Sequence, residues 1–166
     1  RVGESAFDVA RFTHIWRAAH AEIERAFGRS LALEVEPGRY LVAEAGVLLT
    51  EVRGTKQTSG FRYVLVDAGF HNLVRPAMYG AFHYISVVGR ESDETGEPTV
   101  VAGPLCESAD VFTQGRGGEL EPQRLPAVRA GDLLCIHDAG AYGASMASNY
   151  NSQPLAAEVL VEGGVA

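Results

Sequence analysis

The 166-residue chain is 46% hydrophobic and 21% charged, enough apolar matter for one domain with a sizeable core. Its net charge is −7 and Lys56 is its only lysine, which leaves no basic surface for a nucleic acid. No apolar run approaches a membrane span and residues 1–10 lack a signal-peptide layout. Cys106 and Cys135 are too few for a disulfide framework or a structural zinc, so a cytoplasmic location is expected.

In chain order, apolar residues recur at Phe12, Ile15, Trp16, Ala19, Ile23 and Phe27, predicting an amphipathic helix from about Ser5 to Phe27, with Ser5 as its cap and Gly28 as its stop. Leu31–Glu36 alternates as a strand does: Leu31, Leu33 and Val35 share one face, Ala32, Glu34 and Glu36 the other. Two carboxylates on one strand face call for partners. The strand runs into Glu36-Pro37-Gly38-Arg39, a corner that gathers a carboxylate, a chain-stopping proline, bare backbone and a guanidinium, and suits an anionic ligand.

After Gly38 the texture changes to short apolar runs at 47–52, 63–66, 84–88, 99–102, 133–136 and 157–161, separated by glycine and proline. Short strands at that spacing predict a β-sandwich or small barrel, with surface loops at 89–98 and 115–126. Arg75 precedes Pro76 and is expected to be extended, with its side chain reaching from a loop. The fold expected is mainly β: a C-terminal sandwich or barrel domain over 43–166, preceded at 1–42 by a helix–strand unit of the kind repeated in α/β barrels. An α+β domain with a helix on a sheet is the alternative.

The five histidines form no H-x-x-x-H or H-E-x-x-H pattern, so no metal site is expected. Other residues carry an ordinary reading beside a functional one. Glu36 could serve a structural salt bridge, Gly38 a plain turn, Tyr142 a core position with a bonded hydroxyl, the arginines a solvated surface, and Cys106 simple packing. Cys106 follows Gly103-Pro104-Leu105 and precedes charge, which places it in a loop, whereas Cys135 reads as core.

Read together, Glu36-Pro37-Gly38-Arg39, Val66-Asp67-Ala68-Gly69-Phe70, Arg75-Pro76-Ala77-Met78-Tyr79, Gly103-Pro104-Leu105-Cys106-Glu107-Ser108-Ala109-Asp110 and Gly140-Ala141-Tyr142-Gly143 occur in an order that resembles the diaminopimelate decarboxylases. These are fold-type III, pyridoxal-phosphate-dependent enzymes related to ornithine and arginine decarboxylases. The resemblance runs from the first helix to near Ala166. It implies that residues 1–42 end a cofactor-binding barrel and that 43–166 form the C-terminal β domain of a lyase that converts meso-diaminopimelate to lysine and carbon dioxide.

It also implies roles. Glu36 would face the pyridoxal ring nitrogen, while Gly38, Arg39 and Tyr142 would belong to the cofactor site. Arg39, Arg75, Tyr79, Glu107 and Tyr142 would meet substrate, the guanidiniums holding a second amino-acid head by their fork geometry. Cys106 would be the proton donor, reaching with Glu107 into a partner subunit's site, so that function needs a homodimer. Where the family usually has glycine, this chain has Ala109, a departure that would strain the loop if the position needs positive φ.

The family's Schiff-base lysine has no counterpart, since Lys56 matches no such motif. The chain is therefore expected to be a fragment that by itself neither retains pyridoxal phosphate nor decarboxylates. Other readings are a related decarboxylase acting on another amino acid, a non-catalytic β-rich interaction module, and a cysteine hydrolase pairing Cys106 with His83 or His137.

Overall fold

The computed structural model describes residues 6–58, 60–90, 93 and 95–164, so Ser5 lies outside the described residues. The chain divides into two compact units, Arg1–Pro37 and Gly38–Ala166.

In the first unit, helix α1 spans Val9–Phe27. Its cap is Asp8, whose carboxylate accepts from the Arg11 N–H at 2.8 Å, and it stops at Gly28, where φ is 66° and the N–H donates to the Glu24 carbonyl. Past the helix, Glu24 Oε1 accepts from Ser30 Oγ at 3.0 Å and the Leu31 N–H at 2.9 Å, and His20 Nε2 meets the Leu31 carbonyl at 2.8 Å. These contacts fix the turn but supply no ladder. Leu31–Glu36 accordingly forms no strand, contrary to its alternation, because period-two spacing assigns faces and cannot provide a neighbour.

The second unit opens with α2, Gly38–Val42, and a 3₁₀ turn at Ala43–Ala45. Six strands follow: β1 Leu48–Thr58, β2 Phe61–Val66, β3 Ile85–Val87, β4 Glu97–Ala102, β5 Gln123–Leu125 and β6 Leu133–Ile136, with helix α3, Arg75–Tyr79, between β2 and β3. They make one sheet in the order β3-β6-β1-β2-β4-β5. Only β2 and β4 pair in parallel. A bulge at Arg53 shifts the β1–β2 register between Val52 and Gly54.

The sheet curls until its two ends meet. The side chain of Gln123 on β5 accepts from the Ile85 N–H at 3.1 Å and donates to the His83 carbonyl at 2.7 Å, so one amide joins β5 to β3. Inside the near-barrel lie Val52, Val64, Val66, Leu73, Ile85, Val87, Val101, Phe112, Leu125, Leu134 and Ile136, all buried. The mainly β reading therefore holds for residues after 47.

Three local expectations do not hold. Residues 123–125 form β5 inside the expected loop, since a three-residue strand with one apolar side chain carries no periodic signal. Arg75 begins α3 instead of extending, because proline is tolerated in a helix's first turn and Gly80, at φ 61°, closes the turn with its N–H on the Arg75 and Pro76 carbonyls. Residues 157–161 form no strand and pair with none of the six described strands, which leaves Val159, Leu160 and Val161 exposed.

Candidate functional site

Helix α3 sets Arg75 and Tyr79 one turn apart on the same face. The Arg75 guanidinium lies 5.7 Å from the Tyr79 ring centroid and 4.9 Å from that of Tyr142, so two rings hold one cation between them. Tyr142 reaches this position with φ at 66°, a conformation unusual for a bulky side chain. The small residues beside it explain how the loop is held. A Cβ on Gly140 would sit 2.0 Å from the Val42 carbonyl oxygen, and one on Gly143 would sit 2.4 Å from that of Ala139. The Gly140 and Ala139 N–H groups donate to the Ala43 and Gly46 carbonyls, locking the loop against the start of the unit. Tyr142 stays exposed, with its hydroxyl outside any hydrogen bond among the described residues.

A second cluster is built on Asp110, which is buried and accepts from the Phe70 N–H at 2.7 Å and the Leu105 N–H at 2.8 Å. Burial pushes its carboxyl above the usual range, against the pull of those two N–H groups. Gly103 is obligatory here, because its Cβ would lie 2.2 Å from Asp110 Oδ2. The carboxylate thus ties the Cys106 loop to the Phe70 segment and leaves Cys106 and Glu107 at the surface. Ala109 does not adopt a positive φ, so the replacement for the family's glycine strains nothing. Its N–H meets Glu107 Oε1 at 3.4 Å, Ser108 Oγ meets the same oxygen at 3.1 Å, and together they draw the Glu107 carboxyl below its usual range. Tyr150, to which no sequence motif drew attention, donates its hydroxyl to Glu107 Oε2 at 3.3 Å and sets its ring 4.7 Å from that of Phe70.

Glu36 is exposed in the first unit. Gly38 and Arg39 begin α2 at the surface; a Cβ on Gly38 would meet nothing within 4 Å, so its backbone is open to approach. No hydrogen bond or ring contact among the described residues joins Arg39 to the Arg75 cluster. Cys135 is half-buried on β6 opposite Leu49 and Ser86, and Lys56 is exposed on β1 opposite Tyr63. The described residues hold no group of three metal-ligating side chains and no helix long and apolar enough to cross a membrane.

His83 is buried, with Nδ1 donating to the His137 carbonyl at 2.9 Å and Nε2 without a partner; His137 Nε2 is 2.9 Å from Ser86 Oγ. Neither imidazole hydrogen-bonds Cys106 among the described residues, which argues against a cysteine–histidine hydrolase. Burial, reinforced by the Arg75 charge, holds His83 below its ordinary pKa of 6.5, although the His137 carbonyl and Asp138 favour its protonation. A base with a depressed folded-state pKa contributes stability that is present above 6.5 and lost as pH falls through the folded value. The denaturant midpoint of the wild type should therefore fall between pH 7 and pH 5. His83→Gln, which keeps a donor for the His137 carbonyl, should show a smaller fall; equal slopes in the two proteins would rule His83 out as the cause.

The model of the pyridoxal-dependent decarboxylase C-terminal sheet domain matches residues 28–140. Diaminopimelate decarboxylase of Escherichia coli K12 is 55% identical over 168 residues, covering 99% of this chain and 40% of the relative. The Streptomyces coelicolor enzyme of that name is 52% identical, covering 97% of this chain and 37% of the relative. Among solved structures, a diaminopimelate decarboxylase at 55% identity superposes with a TM-score of 0.87 over 98% of this chain and 39% of its own. One from Helicobacter pylori in complex with L-lysine superposes with a TM-score of 0.70 at 37% identity, over 92% of this chain and 34% of its own. The chain spans about 40% of the length of the curated relatives it matches.

Proposed function

This chain belongs to the pyridoxal-dependent decarboxylases through their C-terminal sheet domain, and from that premise we propose that it works as the C-terminal part of a carboxy-lyase that turns meso-diaminopimelate into L-lysine and carbon dioxide. Residues 43–166 are its β domain and 1–42 the end of a barrel that would hold the cofactor, with helix α1 as the one regular element before α2 among the described residues. The observation that carries the reading is the Arg75 guanidinium held between the Tyr79 and Tyr142 rings, in a chain similar over 99% of its length to enzymes of that name.

The residues present fit an anionic cofactor. Tyr142 offers an unbonded hydroxyl from a backbone that glycines pack tightly in place, and Gly38 and Arg39 stand open at the surface. Pyridoxal phosphate, when bound, supplies the sink for the electron pair released as the carboxylate leaves. Glu36 would face the ring nitrogen and favour its protonated form, while Tyr142 and the Gly38 N–H would hold the phosphate. Arg75, with Arg39 and Tyr79, orients the distal carboxylate of the substrate. Glu107 receives its distal ammonium. The Cys106 thiol returns a proton to the α-carbon. Because the Cys106 loop serves a neighbouring subunit in this reading, the working form is a homodimer, in the cytoplasm.

Replacing the matching 40% of the Escherichia coli enzyme with this chain tests the proposal. The chimera should let a lysine auxotroph grow without lysine and should release carbon dioxide from diaminopimelate in preference to lysine or ornithine. A folded chimera that binds the cofactor but decarboxylates ornithine better would move the reading to a related decarboxylase. One that does neither would favour a non-catalytic β-rich module. The chain alone should form no yellow, borohydride-reducible adduct with pyridoxal phosphate; such an adduct at Lys56 would overturn the view that a lysine outside these residues carries it.

A further inference from the structure

A closed circuit of contacts surrounds Glu107. Asp110 holds both the Leu105 and Phe70 N–H groups, and the Phe70 ring backs the Tyr150 ring at 4.7 Å. The Tyr150 hydroxyl returns to Glu107 Oε2 at 3.3 Å, across 43 residues of sequence. The Glu107 carboxylate is thereby used unevenly. Oε1 is taken by Ser108 and the Ala109 N–H within its own loop, whereas Oε2 has, among the described residues, only the Tyr150 hydroxyl and keeps lone pairs for a ligand.

Tyr150 is itself held firmly for an exposed residue. Asn151 and Ser152, which follow it, lie at φ 52° and 58°, and Asn149 Nδ2 donates to the Gln153 carbonyl at 2.9 Å, folding 149–153 into a tight knot. Two successive non-glycine residues in the left-handed region cost free energy and persist only where the surroundings enforce them. Partial desolvation and the Glu107 charge push the Tyr150 phenol above its usual range, so it stays a donor through neutral pH.

We propose that Tyr150 is a positioning residue: it fixes Glu107 so that Oε2 faces the ammonium of a two-headed amino-acid substrate, and it thereby sets selectivity for that second head. The inference rests on the proposed decarboxylase reading. A phenol donor suits the task because it fixes one carboxylate oxygen without neutralising the charge that an ammonium needs. Phenylalanine at the same position would keep the ring contact and lose only the hydroxyl.

The test has two arms. In the 166-residue chain, the Glu107 carboxyl and Tyr150 phenol are titrated by NMR in wild type, Tyr150→Phe and Glu107→Gln. The Glu107 pKa should rise in Tyr150→Phe and the Tyr150 pKa should fall in Glu107→Gln. Glu107 is exposed, so the second variant keeps the comparison valid even if the first unfolds. Absence of both shifts overturns the contact and the proposal with it.

In the chimera with the Escherichia coli barrel, Tyr150→Phe should raise KM for diaminopimelate by a larger factor than it lowers kcat, and should narrow the preference for diaminopimelate over lysine. A pure kcat loss with KM unchanged would overturn the selectivity role. Should the wild-type chimera fail to decarboxylate diaminopimelate while the titrations couple, the decarboxylase reading fails and Tyr150 holds Glu107 for some other purpose, which ends the selectivity proposal.

Discussion

Gly80→Ala should lower the melting temperature of the domain by roughly 4 to 20 °C. Gly80 ends α3 at φ 61°, where an L side chain costs about 1–2 kcal/mol. Its Cβ would also stand 2.3 Å from the Arg116 nitrogen and 2.5 Å from the Gly115 carbonyl carbon. Both atoms are backbone and cannot rotate aside, so α3 or the 115–118 turn must shift, at about 1–3 kcal/mol by analogy with overpacked cores. The sum, about 2–5 kcal/mol, is a large share of the roughly 5–15 kcal/mol that holds a domain together, and at this size each kcal/mol moves the midpoint by about 2–4 °C. Gly54→Ala serves as the control: its Cβ meets nothing within 4 Å and its φ is not positive. Thermal melts of both variants decide the matter. A Gly80→Ala midpoint within 2 °C of wild type would mean that the turn yields easily and that α3 is not pinned from its C-terminal end.

Arg75→Lys should cut kcat/KM of the chimera for diaminopimelate by roughly 10- to 150-fold, the equivalent of about 1.5–3 kcal/mol for a charged hydrogen bond. The charge is retained and the fork is lost. A guanidinium can lie between the Tyr79 and Tyr142 rings and still present two parallel N–H groups to a carboxylate, whereas an ammonium offers one compact point and is more strongly hydrated. Arg75 is half-buried at the first turn of α3 and fills no part of the core, so the melting temperature should change little. Retention of more than a third of wild-type kcat/KM would remove Arg75 from substrate recognition and leave it a packing role between two rings.

Much of this domain was legible as sequence because buried strands write themselves as short β-branched runs. Tyr63–Val66, Thr99–Ala102 and Leu133–Ile136 all became strands, with Val64, Val66, Val100, Val101, Leu134 and Ile136 turned to the interior. What pattern could not supply is a partner. Leu31–Glu36 and 157–161 have strand-like composition and no ladder, while Gln123–Leu125 has almost no apolar signal and is a strand because β4 lies alongside and Gln123 has two backbone groups to meet. The clusters divide in the same way. Arg75 and Tyr79 lie in one motif and were readable as a pair, but their meeting with Tyr142 depends on a left-handed turn 63 residues on, which glycine spacing hinted at without fixing. Tyr150 was invisible, because its partners Phe70 and Glu107 are distant in sequence and no motif joins the three.

The Gln123 amide has a consequence for how this domain meets other polypeptides. A sheet's outermost strands ordinarily offer rows of unpaired N–H and C=O groups on which a foreign strand can crystallise into a ladder, the first step of many aggregates. Here β3 and β5 are three residues each, and the Ile85 N–H and the His83 carbonyl on that seam are already taken by the Gln123 side chain. The seam therefore offers a foreign strand fewer backbone groups, and association through this sheet falls more to side chains, which can be selective where a bare backbone edge accepts any comer.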